Sequence, residues 1–416
     1  MEDQQRRIQI AYISISDPQD KRSWSGITYY VGKTLQKNVG DVDFLGPVTV
    51  PPFIDKMLRA MSKFSRAVFG RRYLAQNSLL VAWYAARVLE RKLQQKKYDF
   101  IFAPASSVAL GMLKTKVPVI YMSDATWKLI SNYEYNEYKN LVPWSSWESN
   151  YLEKKALKKS TMLLMTSQWA AQSVVNDYKI PVSKVYVASM GANMDSVPAY
   201  DVIFKKEENK ELTMLFLAVD WKRKGGDLAL SALRILHDTY GIKARLIVCG
   251  CEPPEGVSHP YMEVIPFLNK NLPEHHAKFV ELLSTIHFLL IPTRADCSLL
   301  VGCEANAYGV PVITTETGGV PGIVHDGING YCVPYSAEGW MYATLIAELF
   351  ADKEKYHNLV LSSRERYEEE LNWDKWSENV KELYQAFFDV EHPEQASVQD
   401  AVPVIREPAQ LNNLHD

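Results

Sequence analysis

The chain has 416 residues, 47% of them apolar and 23% charged, and 46 Lys and Arg against 49 Asp and Glu leave a formal charge of −3 at pH 7. This composition excludes wholesale disorder and a protein that coats nucleic acid by bulk charge. No apolar run reaches the roughly 18–20 residues of a membrane span, and the head MEDQQRRIQIAYISIS is too polar, with too short an apolar part, for a signal peptide.

At roughly 100–200 residues per domain the length suits two or three domains. The first half alternates short apolar runs with amphipathic stretches. IQIAYIS, VDFLGPV, YDFIFAP, VPVIYMS, TMLLMTS and KVYVASM are each bounded by Gly, Pro, Ser or Asp. Such continuous runs predict strands buried on both faces of a parallel sheet. Between them ITYYVGKTLQKN, SLLVAWYAARVLERKLQQ and WESNYLEKKALKK carry helical periodicity. The segment Lys56–Arg72 holds six cations and no acid, interleaved with Met, Leu, Phe and Val. It predicts either a helix lying on anionic lipid or facing a charged acceptor, or a plain solvated face.

A charge-dense stretch, Phe204–Glu211, precedes a second round of the same alternation, from TMLFLAVD to VPVITTE. Two doubly wound α/β halves follow from this pattern. The expected division is 1–200, 201–372, a last helix within 373–390 and a disordered tail over 391–416, which has five acids and three prolines against one Arg. All nine histidines lie at or after His237, so acid–base work in the first half falls to carboxylates, Lys or Tyr. The five cysteines (Cys249, Cys251, Cys297, Cys303, Cys332) match no zinc or redox spacing. The expectation is a cytoplasmic, reduced protein without a metal.

Ligands of open α/β sheets bind beyond the carboxyl ends of the strands, so chemistry is sought in the strand-to-helix loops. In PTRADCSLLVGCEANAYGVPVITTETGGVPGIV a strand delivers Arg294 and Asp296 to a loop, and a helix is predicted to open near Ser298. Its free N–H groups would make the segment Ser298, Leu299 and Leu300 an anion site suited to a diphosphate. Glu304 lies about 9 Å further along the axis at 1.5 Å per residue. Asp296 and Glu304 could grip hydroxyls at opposite ends of a nucleotide-sugar; a capping acid and an exposed helix Glu are the alternative. The pair Gly318–Gly319 would let backbone approach a ligand closely. In LFLAVDWKRKGGDLAL, Arg223 and Lys224 stand after a strand and before a helix, as two cations facing a pyrophosphate would.

The stretch from Asp220 to Pro334 resembles the retaining glycosyltransferases of family 4, whose pattern of two acids separated by seven residues is here Asp296 and Glu304. WKRKGGDLAL resembles the family's basic motif, in the Arg-Lys-Gly form of the lipopolysaccharide-core glucosyltransferases. In the first half, ISDPQDKRSWSGITYYVGKTL resembles the family's first strand-to-helix loop, with Trp24, Ser25 and Gly26 at the matching positions. VIYMSDATW places Asp124 where many members carry His and the core glucosyltransferases carry Asp. Three positions depart from the pattern: Asp296 replaces a Glu, Cys297-Ser298-Leu299 replaces Gly-Phe-Gly, and Pro321-Gly322 replaces Pro-Glu.

The resemblance implies a GT-B fold, two Rossmann-like domains facing a cleft, with the last helix (Trp373–Phe388) crossing back onto the first. It implies a metal-independent retaining transfer of a hexose from a nucleoside-diphosphate sugar, UDP-linked by expectation, to a glycan, lipid-linked or protein acceptor. The nucleotide-sugar is a co-substrate, and no cofactor is expected. Asp124, Arg223, Lys224 and Asp296 would form the catalytic set. Gly26, Ser298, Leu299, Leu300 and Glu304 would bind the donor, with the base resting near Ile265, Pro266, Phe267 and Leu268. The Asp41–Asp43 triplet lacks the pattern of the metal motif of the other large glycosyltransferase fold. Two other functions fit the same architecture: a sugar-nucleotide 2-epimerase, and a catalytically silent protein that binds a glycan or supports a partner.

Overall fold

The computed structural model describes residues 7–133 and 138–388; the predicted tail 391–416 lies outside them. The first half contains β1 (Ile8–Tyr12), α1 (Ile27–Asn38), β2 (Gly40–Phe44), α2 (Pro52–Phe69), α3 (Leu79–Leu93), β3 (Phe100–Pro104), α4 (Ser107–Gly111), β4 (Val119–Ser123), α5 (Trp127–Asn132), α6 (Pro143–Lys159), β5 (Met162–Met165), α7 (Gln168–Tyr178) and β6 (Val185–Val187). The second contains α8 (Tyr200–Ile203), β7 (Leu212–Leu217), α9 (Gly226–Asp238), β8 (Ala244–Cys249), β9 (Met262–Ile265), α10 (Pro273–Thr285), β10 (Phe288–Ile291), α11 (Leu300–Ala307), β11 (Val312–Thr315), β12 (Gly330–Val333), α12 (Gly339–Ala351), α13 (Lys353–Glu369) and α14 (Trp373–Phe388).

Two six-stranded sheets result, in the orders β2-β1-β3-β4-β5-β6 and β12-β11-β10-β7-β8-β9, and their recorded strand pairings are parallel. Helices cover both faces, which is why β3, β4 and β5 are buried at every position and read as unbroken apolar runs. Register places Tyr12 opposite both Phe44 and Phe102, and its ring meets theirs at 5.2 and 5.9 Å. These two doubly wound sheets are the two Rossmann-like halves of a GT-B architecture.

The chain returns to its beginning. α14 lays Trp376 edge-on against Phe102 at 5.8 Å and Tyr384 against Phe100 at 5.0 Å. Lys37 pairs with Asp374 at 2.8 Å, and Thr34 donates to the Trp373 carbonyl at 3.1 Å. The last described helix is therefore part of the first half's core.

The stretch Phe204–Glu211 is tied into the second half, where Lys206 is only 2% exposed and its Nζ donates to the Tyr308 carbonyl at 2.7 Å. The Asp41–Asp43 triplet lies within β2 itself, with Asp41 held by Arg7 and Gln9 and Asp43 by Lys96 and Tyr98.

Candidate functional site: the loops between the two sheets

The first strand-to-helix loop ends in an unusual run of backbone. Trp24 (φ 47°), Ser25 (φ 56°) and Gly26 (φ 90°) are all left-handed, and two of the three carry side chains that disfavour it. The surroundings enforce the shape. Asn193 Nδ2 donates to the Ser25 carbonyl at 2.7 Å, and Asn193 Oδ1 accepts from Trp373 Nε1 at 2.8 Å. The result aims the Trp24 indole at Asp124, whose Oδ2 accepts from Nε1 at 3.3 Å. Asp124 follows β4 directly. Burial pushes its carboxyl up to about 6, with the neighbouring Asp296 charge adding and the Trp24 hydrogen bond opposing.

From the second sheet, the loops after β7 and β10 meet the same region. Arg294 N donates to the Arg223 carbonyl at 2.8 Å, and Arg223 Nη1 donates to the Ala295 carbonyl at 3.0 Å. Gly225 (φ 78°) is required here, since a Cβ would stand 2.0 Å from the Pro292 oxygen. This joining of loops brings the Lys224 ammonium onto the Asp296 carboxylate in a largely buried ion pair. Sequence reading assigned the two to separate parts of a donor; the structure pairs them.

The two halves touch at the same point. Tyr133 Oη donates to the Asp296 carbonyl at 3.1 Å, and the Gly319 amide donates to that oxygen at the same distance. A Cβ on Gly318 would stand 2.0 Å from Tyr133 Oη, and one on Gly319 would stand 1.8 Å from the Cys297 oxygen. The close approach that this glycine pair permits is thus to protein, not to open space for a ligand. Gly26 likewise faces Asn193 and the Lys21 carbonyl, each 3.0 Å from a Cβ placed there.

The anion-site helix begins later than predicted. α11 opens at Leu300, with Leu299 as an N-cap that lends no side-chain hydrogen bond, and Ser298 belongs to the loop. The side chains of Leu299 and Leu300 are buried, Leu300 within the first half's core cluster, so only their backbone can serve an anion. Among the described residues, no acceptor takes a hydrogen bond from the amides of Cys297, Ser298 or Leu299, and the buried Ser298 hydroxyl has no partner.

Glu304 is not an exposed helix residue. It is 1% exposed and accepts from Lys270 Nζ at 2.6 Å. Burial raises its pKa, and the Lys270 charge opposes the rise. Among the described residues, two buried polar atoms near it lack hydrogen-bond partners, Tyr30 Oη and His276 Nε2. Asp195 sits beside Tyr30, held by Lys21 at 2.8 Å and Lys33 at 2.9 Å. Ile265 ends β9, and Pro266, Phe267 and Leu268 follow it; Phe267 is 54% exposed, while Ile265 and Leu268 pack against the second half's core. Among the described residues, no group of three or more His, Cys, Asp or Glu gathers as a metal site.

Sequence reasoning missed Tyr133, Lys270 and Asn193. Tyr133 lies in a segment with no pattern, and Lys270 in an NKN run after a predicted strand. Asn193 stands in SMGANMD, between β6 and α8, and its spacing from Gly26 gives no hint that the two touch.

Comparison with known proteins defines the class. Residues 28–196 match the family model described as Glycosyltransferase Family 4, and residues 201–366 match Glycosyl transferases group 1. The chain is a glycosyltransferase of the GT-B class. Among curated relatives it is 34% identical over 82 residues to spore coat protein SA of Bacillus subtilis, a match covering 20% of this chain and only 22% of that protein. It is 24% identical over 302 residues to the putative colanic acid biosynthesis glycosyltransferase WcaL of Escherichia coli, covering 68% of this chain and 69% of the relative. Among solved structures, sucrose-phosphate synthase from Thermosynechococcus elongatus superposes with a TM-score of 0.64 at 17% identity, over 92% of this chain and 100% of that one. Anabaena Alr3699/HepE in complex with UDP and glucose superposes with a TM-score of 0.59 at 13% identity, over 91% and 100%.

Proposed function

We propose that this chain transfers a hexose from a UDP-sugar to an acceptor hydroxyl with retention of the anomeric configuration, working in the cytoplasm against a membrane surface that Lys56–Arg72 faces. The observation that carries the reading is the meeting of Arg223, Lys224 and Asp296 with Asp124 where the strand ends of both sheets converge. HepE, with the same fold, is known in complex with UDP and glucose. In this reading the diphosphate takes the unengaged amides of Cys297, Ser298 and Leu299, with Arg223 and Lys224 beside it. Lys224 exchanges part of its bond with Asp296 for the departing oxygen as negative charge develops there. Asp296 is then freed to hold sugar hydroxyls, and Asp124 to orient the acceptor or the sugar's 6-hydroxyl. Glu304 holds the ribose, and Ile265–Leu268 border the base.

No carboxylate stands out as a covalent nucleophile, so attack proceeds from the face the leaving group vacates, with the diphosphate accepting the acceptor's proton. The cations supply the charge that a metal supplies elsewhere, and activity is expected to survive EDTA. The test is incubation with a panel of UDP- and GDP-sugars. Slow release of sugar from one UDP-sugar supports the reading; binding without turnover across all donors favours a silent glycan-binding protein.

A further inference from the structure

α2 has three faces. Ile54, Leu58 and Ser65 are buried against the domain. Phe53, Met57, Met61, Phe64 and Val68, at i, i+4, i+8, i+11 and i+15, form an exposed apolar edge on which Phe53 is 72% and Phe64 60% exposed. Lys56, Arg59, Lys63 and Arg66 form the opposite edge of the outward surface. The apolar edge continues onto α6, where Trp144 meets Phe69 edge-on at 5.4 Å and Trp147 is exposed. Asp55 holds Arg59 at 2.7 Å, but among the described residues no carboxylate pairs with Lys63 or Arg66.

The cationic edge overhangs a cleft of about 800 Å³, a size that suits a small-molecule ligand. Ile15, Val48 and Val81 line its apolar part, and Arg59, Lys63 and Arg66 its charged part together with Asp55, which offsets Arg59 and leaves Lys63 and Arg66 for a ligand. Ile15 and Val48 follow the carboxyl ends of β1 and β2, where open α/β sheets take their ligands. A bare sugar has no use for the apolar wall, and a neutral lipid none for the two cations, Lys63 and Arg66, that no carboxylate among the described residues offsets. An amphiphile whose anionic head meets an apolar chain satisfies both.

We propose that this cleft binds the phosphorylated head of a membrane lipid that serves as the acceptor, while the apolar edge of α2 seats in the bilayer from which that lipid comes. Only the word acceptor rests on the transferase reading; the lipid site stands on its own residues. An amphipathic helix with aromatic side chains on one edge and Lys and Arg on the other lies in the plane of an anionic membrane surface.

The test uses the full chain with vesicles of phosphatidylcholine alone or mixed with phosphatidylglycerol, monomeric lysophosphatidic acid and lysophosphatidylcholine, inorganic phosphate, and UDP. Expected are sedimentation with the mixed vesicles, reversed by salt, and binding of lysophosphatidic acid in preference to lysophosphatidylcholine. Lys63→Glu with Arg66→Glu should weaken lysophosphatidic acid binding about tenfold or more. Phe53→Ser with Phe64→Ser should abolish sedimentation and change lysophosphatidic acid affinity by less than about twofold. Stabilisation by UDP should be the same in both variants. Equal binding to both vesicle types, inorganic phosphate competing as well as lysophosphatidic acid, or a concentration-dependent dimer abolished by the Phe variants without any vesicle binding would each overturn the proposal. Failure of UDP to stabilise the wild-type chain while lysophosphatidic acid still binds would sink the transferase reading and leave the lipid site standing.

Discussion

At the scale of single residues, the candidate site is built from charges that neutralise one another, Lys224 with Asp296 and Lys270 with Glu304. Lys224 faces Asp296 in the structure, so its effect should appear where new negative charge forms. Lys224→Ala is expected to lower turnover roughly a hundredfold while changing UDP affinity only a few-fold, read by comparing kcat with the UDP dissociation constant; equal losses in both would refute the assignment. Glu153, buried beside Tyr121, gives a stability prediction independent of catalysis. Burial raises its carboxyl from 4.5 to about 7. Between those values the folded chain keeps a proton that the unfolded chain releases, so stability falls as pH rises through the window. Glu153→Gln should flatten that fall and stabilise the chain at pH 8 on the order of 3 kcal/mol, measured by denaturant unfolding across pH. Gly319→Ala must push the Cys297 carbonyl away from a Cβ that would otherwise stand 1.8 Å from it. A loss of about 1–3 kcal/mol is expected in thermal unfolding.

At the scale of elements, much was legible and some was not. Strands buried on both faces announce themselves as unbroken apolar runs, and α1 and α14 by their periodicity and bounds. The start of α11 was misplaced by two residues because Ser298 is a good N-cap by type, whereas tertiary packing drew Leu299 and Leu300 inward and began the helix after them. Glu304 read equally well as exposed; only the arrival of Lys270 from the β9–α10 loop explains its burial. Contacts between segments far apart in the chain, such as Tyr133 with Asp296, leave no local signature. The seat of α14 is testable. Trp376 is almost wholly buried, and among the described residues its indole N–H has no partner. Trp376→Ala should lower stability by about 3–5 kcal/mol. Trp376→Phe should lower it far less, since it keeps most of the ring and removes an unsatisfied donor.

At the scale of the whole molecule, two six-stranded parallel sheets of different strand order touch through their loops, and the candidate site draws residues from both. A ligand spanning the junction should therefore stiffen the pair together. A UDP-sugar at ~100 times its dissociation constant is expected to add about 2.7 kcal/mol of apparent stability, visible as a shift of a single unfolding transition. A shift confined to one of two separate transitions would show that the halves respond independently.

The return of α14 also sets an order on biosynthesis. The pocket for Trp376 on β3 and its neighbours is made early in translation, but its occupant follows Phe102 by 274 residues in the chain. From the emergence of β6 until that of α14 the nascent first half carries an open apolar groove, a natural seat for a chaperone, and it reaches its finished form only after the second half has been made.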